Sequence, residues 1–217
     1  MKPIIIVGAG GFGREIYWLI SEINQSNPSW NVIGFLDDNP NALLEYPEYG
    51  AVLGSIDAYN DLFTRDDKPY AVCTIESPAR RQRVVEKLNL FSIAWTSLIH
   101  PLAAIGINTR IGLGSIICRN AMVSVNAVIG DHVQLNPYSS VGHDAIIRDY
   151  CTLSAHVDIA ADVDCGDSVF IGSHGVVLPK VNVGRKAVIA AGSIAKKMVH
   201  EKEIIYGKQD ESIYFPE

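Results

Sequence analysis

Residues 129–147 read IGDHVQLNPYSSVGHDAII, and an aliphatic side chain recurs in this stretch at every sixth position. The period continues without a break from Ile99 to Ile189, over sixteen hexads in which Cys165 is the only non-aliphatic member. A small or β-branched residue follows each of these positions after four residues. One aliphatic and one small position per hexad is typical of a parallel β-helix, in which three hexads form one triangular coil. The carboxyl-terminal half is therefore predicted to be such a prism.

The period also predicts which side chains stack on one another. Residues eighteen apart become vertical neighbours at about 4.8 Å, and five full coils fit. One predicted inward ladder is Ile99, Ile117, Leu135, Leu153, Ile171 and Ile189. Seven glycines that follow the aliphatic residue are predicted to give the corners backbone freedom: Gly106, Gly112, Gly130, Gly142, Gly166, Gly172 and Gly184. A β-sandwich would instead need period-two strands with frequent turns, so it is disfavoured.

Length and composition limit the remaining possibilities. The 217 residues and 48% hydrophobic content predict two modest domains, over residues 1–92 and over residues 93–217 with a carboxyl-terminal tail. The net charge of −6 argues against a nucleic-acid partner, and no apolar stretch is long enough to suggest a membrane partner. Four cysteines without paired metal spacing favour buried free thiols in a reducing, cytoplasmic protein.

The first ninety residues predict a small parallel sheet of Rossmann type. The expected elements are strands over residues 3–7, 32–36 and 70–75, a helix over 14–24, and a helix over 79–88 that Ser77 caps and Pro78 begins.

A glycine-rich turn joins the first strand to the first helix. Gly8, Gly10 and Gly13, with Gly11 and Phe12 between them, form a G-x-G-x-x-G motif, and Asp37 and Asp38 end the second strand. Such glycines let backbone amides approach phosphate, and the carboxylate can bind ribose. Because fewer than 100 residues precede the prism, a mononucleotide or nucleotide-sugar site is favoured over NAD. A tight turn without a ligand is the structural alternative.

Four segments carry a resemblance to a known family. IVGAGGFGREI (6–16), GFLDD (34–38), LIHP (98–101) and VGHD (141–144) together resemble the sugar O- and N-acyltransferases of the sialic acid O-acetyltransferase (NeuD) type. The resemblance implies a Rossmann-like nucleotide-sugar domain followed by a left-handed parallel β-helix. It also implies a homotrimer that uses acetyl-CoA to acylate a sugar, in many members a nucleotide-linked 4-amino-4,6-dideoxy sugar for lipopolysaccharide or capsule synthesis.

The resemblance also implies which residues act. His143 of the Gly-His-Asp motif would be the general base, with Asp144 orienting it, and imidazole is suited to take a proton from an attacking amine. Acetyl-CoA would lie between adjacent prisms, at the positions Asn136, Ala161, Ser173 and Ala191. Basic residues near the last coils would suit the CoA phosphates: Lys180, Arg185, Lys186, Lys196, Lys197 and Lys202.

Two features depart from the family pattern. A second histidine, common nine positions after the base, is replaced here by Thr152, and the segment after the last coil, residues 206–217, lacks the usual closing motif.

Several functions are compatible with the sequence. The leading function is N-acetylation of a nucleotide-linked amino sugar without a metal, and the second is O-acetylation of a free sugar such as sialic acid. A nucleotide-binding oxidoreductase or regulatory module is a third. A γ-carbonic-anhydrase-like metal site would use His156 and His174, which should stack in one column with Asn120 and Tyr138. His100 and His132 are interpreted as structural.

Overall fold

The computed structural model describes residues 1–63 and 68–207. The amino-terminal part is one parallel sheet of five strands, in the order β3-β2-β1-β4-β5. Its strands are β1 (Lys2–Val7), β2 (Trp30–Leu36), β3 (Val52–Gly54), β4 (Tyr70–Cys73) and β5 (Ala94–Trp95). Its helices are α1 (Gly11–Ser26), α2 (Tyr59–Leu62) and α3 (Pro78–Asn89), with short 3-10 turns at Pro47–Tyr49 and Ile56–Ala58.

The sequence pattern explains why this sheet has helices on both faces. All four residues from Ile4 to Val7 are buried, as expected for a central parallel strand. Ile4 and Ile6 pack in one core with the apolar stripe of α1, and Ile5 and Val7 pack in a second core with α3. The α1 core also contains Leu98 and Ile116 of the prism. The two parts of the chain therefore share a hydrophobic core.

The predicted elements of this domain are present, and the structure adds to them. No sequence pattern predicted β3, α2 or β5, which are only three, four and two residues long. Ser77 occupies the N-cap position of α3 and Pro78 begins the helix, as predicted, but the Ser77 side chain makes no capping hydrogen bond. Because β5 pairs with β4, the amino-terminal sheet extends a little beyond the predicted boundary at residue 92.

The second part is a parallel β-helix with three sheets, as the hexad period predicts. The first sheet contains Leu98–Ile99, Ile116–Ile117, Gln134–Leu135, Thr152–Leu153, Phe170–Ile171, Val188–Ile189 and Ile204–Ile205. The second contains Ala104–Ile105, Met122–Val123, Ser140–Val141, Asp158–Ile159, Val176–Val177 and Ile194–Ala195. The third contains Arg110–Ile111, Val128–Ile129, Ile146–Ile147, Asp164–Cys165 and Asn182–Val183.

The eighteen-residue register is confirmed by the strand pairing. Ile117 pairs with Leu135, Leu153 with Ile171, and all of them are fully buried inside the prism. The expectation is wrong at the first member of the ladder, because Ile99 is 40% exposed. Ile99 belongs to the first coil, which has a neighbouring coil on one side only.

The role predicted for the corner glycines is corrected by the structure. The residues with positive φ lie three positions after the aliphatic residue and are mostly not glycine, as with Asn126 and Asp144 at φ 60° and 59°. The glycines that follow the aliphatic residue are required for another reason. A Cβ built on Gly142 would lie 2.6 Å from backbone atoms of Ala160 and Ala161 in the next coil. Close approach of successive coils, not backbone freedom, therefore selects glycine there.

The state of the four cysteines agrees with the sequence-based expectation. Cys73, Cys118, Cys151 and Cys165 are all buried free thiols, and burial raises the pKa of Cys151 to about 12. In the described part of the chain, each helix is too short or too polar to span a membrane.

His132 lies at the junction between the two domains. Its imidazole stacks on Tyr150, with ring centroids 5.4 Å apart, and meets the edge of Trp95 at 4.8 Å. Burial, aided by the charge of Arg81, lowers the pKa of His132 to about 4. His132 is therefore neutral in the folded protein at pH 5, whereas in the unfolded chain it is largely protonated.

We expect this difference to destabilise the protein in mild acid. The unfolded chain binds a proton from about pH 6.5 downward, and the folded protein does so only near pH 4, so stability falls as the pH decreases through this window. Between pH 7 and pH 5 the wild type should lose about 2 kcal/mol more unfolding free energy than His132→Phe. Urea unfolding at both pH values measures this difference. Equal losses in the two proteins would show that His132 is not the cause.

Candidate active site and nucleotide cleft

His143 and Asp144 form a hydrogen-bonded pair on a corner of the prism. They lie between the strands Ser140–Val141 and Ile146–Ile147, and the side chains are 55% and 47% exposed. The Nδ1 atom of His143 is 2.7 Å from Oδ2 of Asp144. Asp144 has a positive φ of 59°, a conformation that aspartate tolerates better than most residues. The corner geometry therefore turns its carboxylate toward the preceding imidazole.

A column of polar side chains holds the carboxylate in place. Asn126, one coil below, donates from Nδ2 to Oδ1 of Asp144 at 3.1 Å, and Asn108 donates to Asn126 at 3.3 Å. The hydrogen bonds from His143 and then from Asn126 lower the pKa of Asp144. The carboxylate is therefore ionised at neutral pH and accepts the Nδ1 proton of the imidazole.

This pairing determines what the imidazole can do. With Nδ1 acting as donor, a neutral imidazole carries its free lone pair on Nε2. Among the described residues, no hydrogen-bond partner occupies Nε2 of His143. An exposed, oriented imidazole with a free nitrogen can accept a proton from a bound nucleophile, and the neighbouring carboxylate stabilises the imidazolium that results.

A second candidate site lies in the amino-terminal domain. A cleft of about 330 Å³ is lined by Gly8, Gly10, Gly11, Phe12, Asp37, Thr74, Ile75, Glu76, Ser77 and Arg80. It lies at the carboxyl ends of β1 and β4, where the strand order reverses and where ligands bind in open parallel sheets. Both α1 and α3 begin at this cleft, so two helix amino termini with free N–H groups flank it.

The predicted nucleotide-binding residues divide into two groups. Gly8, Gly10, Gly11, Phe12 and Asp37 line the cleft. The structure does not bring Gly13 and Asp38 to its surface.

Gly13 is needed for packing. A Cβ on Gly13 would lie 2.1 Å from the carbonyl oxygen of Gly8. Asp38 instead accepts a hydrogen bond from the backbone N–H of Ile56 at 3.2 Å. Asp37 braces the glycine turn, since its Oδ2 accepts the N–H of Ala9 at 2.8 Å.

Half of the residues that line the cleft come from a segment that no sequence motif identifies. Residues 74–77 and Arg80 follow β4 and begin α3. The predicted strand before this segment could have indicated it, because the carboxyl ends of adjacent parallel strands meet at one edge of a sheet. Arg80 adds a positive charge to this edge.

The predicted acetyl-CoA residues lie on two different corners of one prism. Ala161 lies one coil after His143, and the N–H of Asp162 donates to the carbonyl of His143 at 3.1 Å. Ser173 and Ala191 lie one coil apart on the corner between the first and second sheets, and Asn136 is on the same side. A single chain does not bring these two groups together. Buried Oδ1 of Asn136 has no hydrogen-bond partner among the described residues.

The stacked histidines do not form a metal site. The rings of Tyr138, His156 and His174 stack at centroid distances of 5.0 and 4.8 Å with interplanar angles of 3°. Lone pairs of parallel imidazoles point in parallel directions, so they cannot converge at the 2.0–2.1 Å that zinc requires. Within residues 1–63 and 68–207, no His, Cys, Asp and Glu cluster could hold a metal ion.

The other expected features have clear positions. His100 is buried, with Nε2 2.9 Å from Glu22 and Nδ1 accepting the N–H of Leu102. Thr152, at the place of the family's second histidine, is buried at the domain junction and donates to the carbonyl of Glu76.

Three of the predicted basic residues lie near the last coils of the prism. Lys180, Lys186 and Lys202 occupy corner positions with positive φ. From Lys208 to Glu217 the tail lies outside the described residues.

Two family comparisons match separate parts of the chain. Residues 3–88 match the PglD N-terminal domain. Residues 126–160, which include the His143–Asp144 pair, match the bacterial transferase hexapeptide (six repeats). No curated protein matches the chain.

Solved structures show the same fold over nearly the whole chain. Perosamine N-acetyltransferase from Caulobacter crescentus, a histidine-to-asparagine variant in complex with CoA and GDP-perosamine, is 20% identical and has a TM-score of 0.84, with 95% of this chain and 98% of that chain covered. The acetyltransferase domain of PglB from Neisseria gonorrhoeae FA1090 is 20% identical with a TM-score of 0.80, covering 92% and 93%. WeeI from Acinetobacter baumannii AYE is 23% identical with a TM-score of 0.82, covering 94% and 96%.

Proposed function

We propose that this chain, which belongs by its two family matches to the NeuD/PglD-type sugar acyltransferases, transfers an acetyl group from acetyl-CoA to the amine of a nucleotide-linked amino sugar. The observation that carries the proposal is the His143–Asp144 pair with its free Nε2 atom. The solved relatives named N-acetyltransferases favour an amine over a hydroxyl acceptor.

In the proposed reaction, the proton of the attacking amine passes through His143 to the CoA sulfur. The neutral sugar amine attacks the thioester carbonyl carbon, and its nitrogen gives up a proton to Nε2 of His143. The C–S bond then breaks, and His143 returns the proton to the departing CoA sulfur. Asp144 stabilises the imidazolium between these two steps, because its carboxylate is ionised and 2.7 Å from Nδ1.

The amino-terminal cleft suits the nucleotide part of the substrate. The diphosphate would lie against the amino termini of α1 and α3, where N–H groups and the helix dipoles favour negative charge. Arg80 lines the same cleft and supplies a full positive charge. Glycines at positions 8, 10 and 11 leave the backbone open to the phosphates.

The prism suits acetyl-CoA only where two chains meet. Ala161 and His143 lie on one corner and Ser173 and Ala191 on another, so a groove between neighbouring prisms would unite them in a homotrimer. A solved relative, the PglB domain, is in complex with acetyl coenzyme A.

We also propose that the acetylated sugar is used in lipopolysaccharide or capsule synthesis and that the reaction takes place in the cytoplasm.

A transfer assay tests the proposal. The protein is incubated with acetyl-CoA and GDP-, UDP- or dTDP-linked 4-amino-4,6-dideoxy sugars, or with free sialic acid, and both thiol release and product mass are measured. We expect N-acetylation of one nucleotide-linked amino sugar. Acetylation of sialic acid alone would establish the O-acetyltransferase alternative, and NADH binding without acetyl transfer would revive the oxidoreductase.

Two glycine variants separate the nucleotide cleft from the fold. A Cβ on Gly10 meets no atom within 4 Å, and its φ of −71° and ψ of −169° suit a β-branched residue. Gly10→Val should therefore fold normally, yet lose about tenfold or more in nucleoside diphosphate affinity, with acetyl-CoA affinity unchanged. Gly13→Val should instead lower the melting temperature, because its Cβ would overlap the Gly8 carbonyl. Wild-type nucleotide affinity in Gly10→Val, measured by calorimetry, would contradict this site.

A further inference from the structure

We propose that Arg81, with Gln134 and Thr152, acts as a positioning clamp that uses the prism to fix the nucleotide cleft. The residues that it holds are 74–77, which form one wall of that cleft. The inference rests on the proposed function, since it assigns these side chains a role in binding the nucleotide-linked substrate.

Arg81 is the centre of the clamp. Its side chain is fully buried, and every N–H group of its guanidinium donates to an oxygen. On the domain side, Nη1 donates to the carbonyls of Ile75 at 2.7 Å and Glu76 at 3.0 Å. Its prism contacts are the carbonyls of His132, Tyr150 and Cys151 and the hydroxyl of Thr152, at 2.6–3.0 Å.

Two prism side chains extend the same set of contacts. Gln134 and Thr152 are register partners in adjacent coils of the first sheet, on its outward face. Gln134 donates to the carbonyl of Cys73 at 3.1 Å, and Thr152 donates to the carbonyl of Glu76 at 2.8 Å. Three carbonyls at the end of β4 and just after it, those of Cys73, Ile75 and Glu76, are thus held by side chains of the prism or by Arg81.

The held segment connects directly to the glycine turn. The hydroxyl of Thr74 donates to the carbonyls of Val7 and Gly8 at 3.0 and 2.9 Å. The prism therefore connects through Arg81 to the backbone of residues 75 and 76, and through the neighbouring Thr74 to Gly8. Both walls of the cleft are thus linked to the prism.

The chemistry of Arg81 argues against a role in packing alone. A buried charge is costly, and burial lowers the pKa of Arg81 to about 10, so the group is still charged at neutral pH. None of its hydrogen-bond partners is a carboxylate. An apolar side chain could fill the same space, but it could not bind backbone carbonyls from both domains at once.

The clamp is tested with Thr152→Val and Arg81→Met, and with Arg83→Met as a matched control on the exposed face of α3. Calorimetry measures affinity for GDP, UDP, dTDP and acetyl-CoA. Hydrogen exchange measures the protection of backbone amides 74–77 without any ligand. In Thr152→Val we expect nucleoside diphosphate affinity to fall about three- to tenfold, the equivalent of one hydrogen bond. Acetyl-CoA affinity should stay within about twofold, and amides 74–77 should exchange faster.

Arg81→Met should also lose nucleoside diphosphate affinity and keep acetyl-CoA affinity, and its loss should be larger than that of Thr152→Val. Arg83→Met should match the wild type in both affinities. If Arg81→Met does not fold, Thr152→Val decides the question alone. A lower melting temperature in Thr152→Val with unchanged nucleotide affinity and unchanged exchange at 74–77 would overturn the clamp. If the wild type binds no nucleoside diphosphate, the proposed nucleotide site is wrong, and the exchange data alone then support or overturn the clamp.

Discussion

His143→Ala is expected to lower kcat for acetyl transfer by about 10² to 10⁴, the usual contribution of a positioned general base. The reason is that the free Nε2 atom of His143, oriented by Asp144, is the proposed proton acceptor. The substitution removes an exposed side chain on a corner of the prism, so the fold and the affinity for acetyl-CoA should be kept. Steady-state kinetics and calorimetry measure the two effects separately.

Asp144→Asn should lower kcat less than His143→Ala does. The substitution keeps the imidazole but replaces the ionised carboxylate that lies 2.7 Å from its Nδ1 atom, so the orientation of the ring and the stabilisation of the imidazolium are both weakened. Steady-state kinetics measure kcat for the two variants. A wild-type kcat in Asp144→Asn would argue against an orienting role for Asp144.

The stacked histidines supply the controls for this assignment. His156→Ala and His174→Ala change exposed rings of similar size on another corner, and both should retain wild-type kcat. If a chelator or either of these substitutions abolishes turnover while His143→Ala stays active, His143 is not the base.

Ile171→Asp is expected to prevent the protein from folding. Ile171 is fully buried and pairs with Leu153 below and Ile189 above. A carboxylate at this position has no polar partner inside the ladder, and burying it costs on the order of several kcal/mol. Total stability of a domain is about 5–15 kcal/mol. Soluble yield and circular dichroism measure the result.

Met122→Asp is the matched control for this substitution. Met122 also lies in a two-residue strand of the prism, but its side chain faces outward and is exposed. This variant should fold with nearly wild-type stability. A folded Ile171→Asp protein would mean that the eighteen-residue register assigned to the prism is wrong.

The prism could be predicted because its period repeats many times. A single hexad is ambiguous, but sixteen hexads in one phase leave one set of vertical neighbours, and strand pairs such as Ile117 with Leu135 follow directly. The reason for the glycines could not be read in the same way. Gly142 is selected by contact with the next coil, and sequence spacing alone does not distinguish such contact from a strained φ angle.

The two candidate sites differ in how much the sequence reveals. His143 and Asp144 are adjacent in the chain, so a local motif identifies them. The cleft combines Gly8 with residues 74–77, more than sixty positions away, and β3 and β5 are too short to signal the full strand order. Arg81 shares a helix face with Val85 and Leu88. The position of this charged residue on the apolar stripe of the helix was the only feature of the sequence that could have indicated the clamp.

The coil repeat also restricts how this protein can change in length. Six residues advance the chain by one side of the triangle, so an inserted hexad would move every later strand to the next sheet. Gln134 and Thr152 contact the amino-terminal domain only because they remain on the first sheet. Viable insertions and deletions within the prism should therefore come in multiples of eighteen residues, or protrude as loops at the corners, which makes the evolution of its length stepwise.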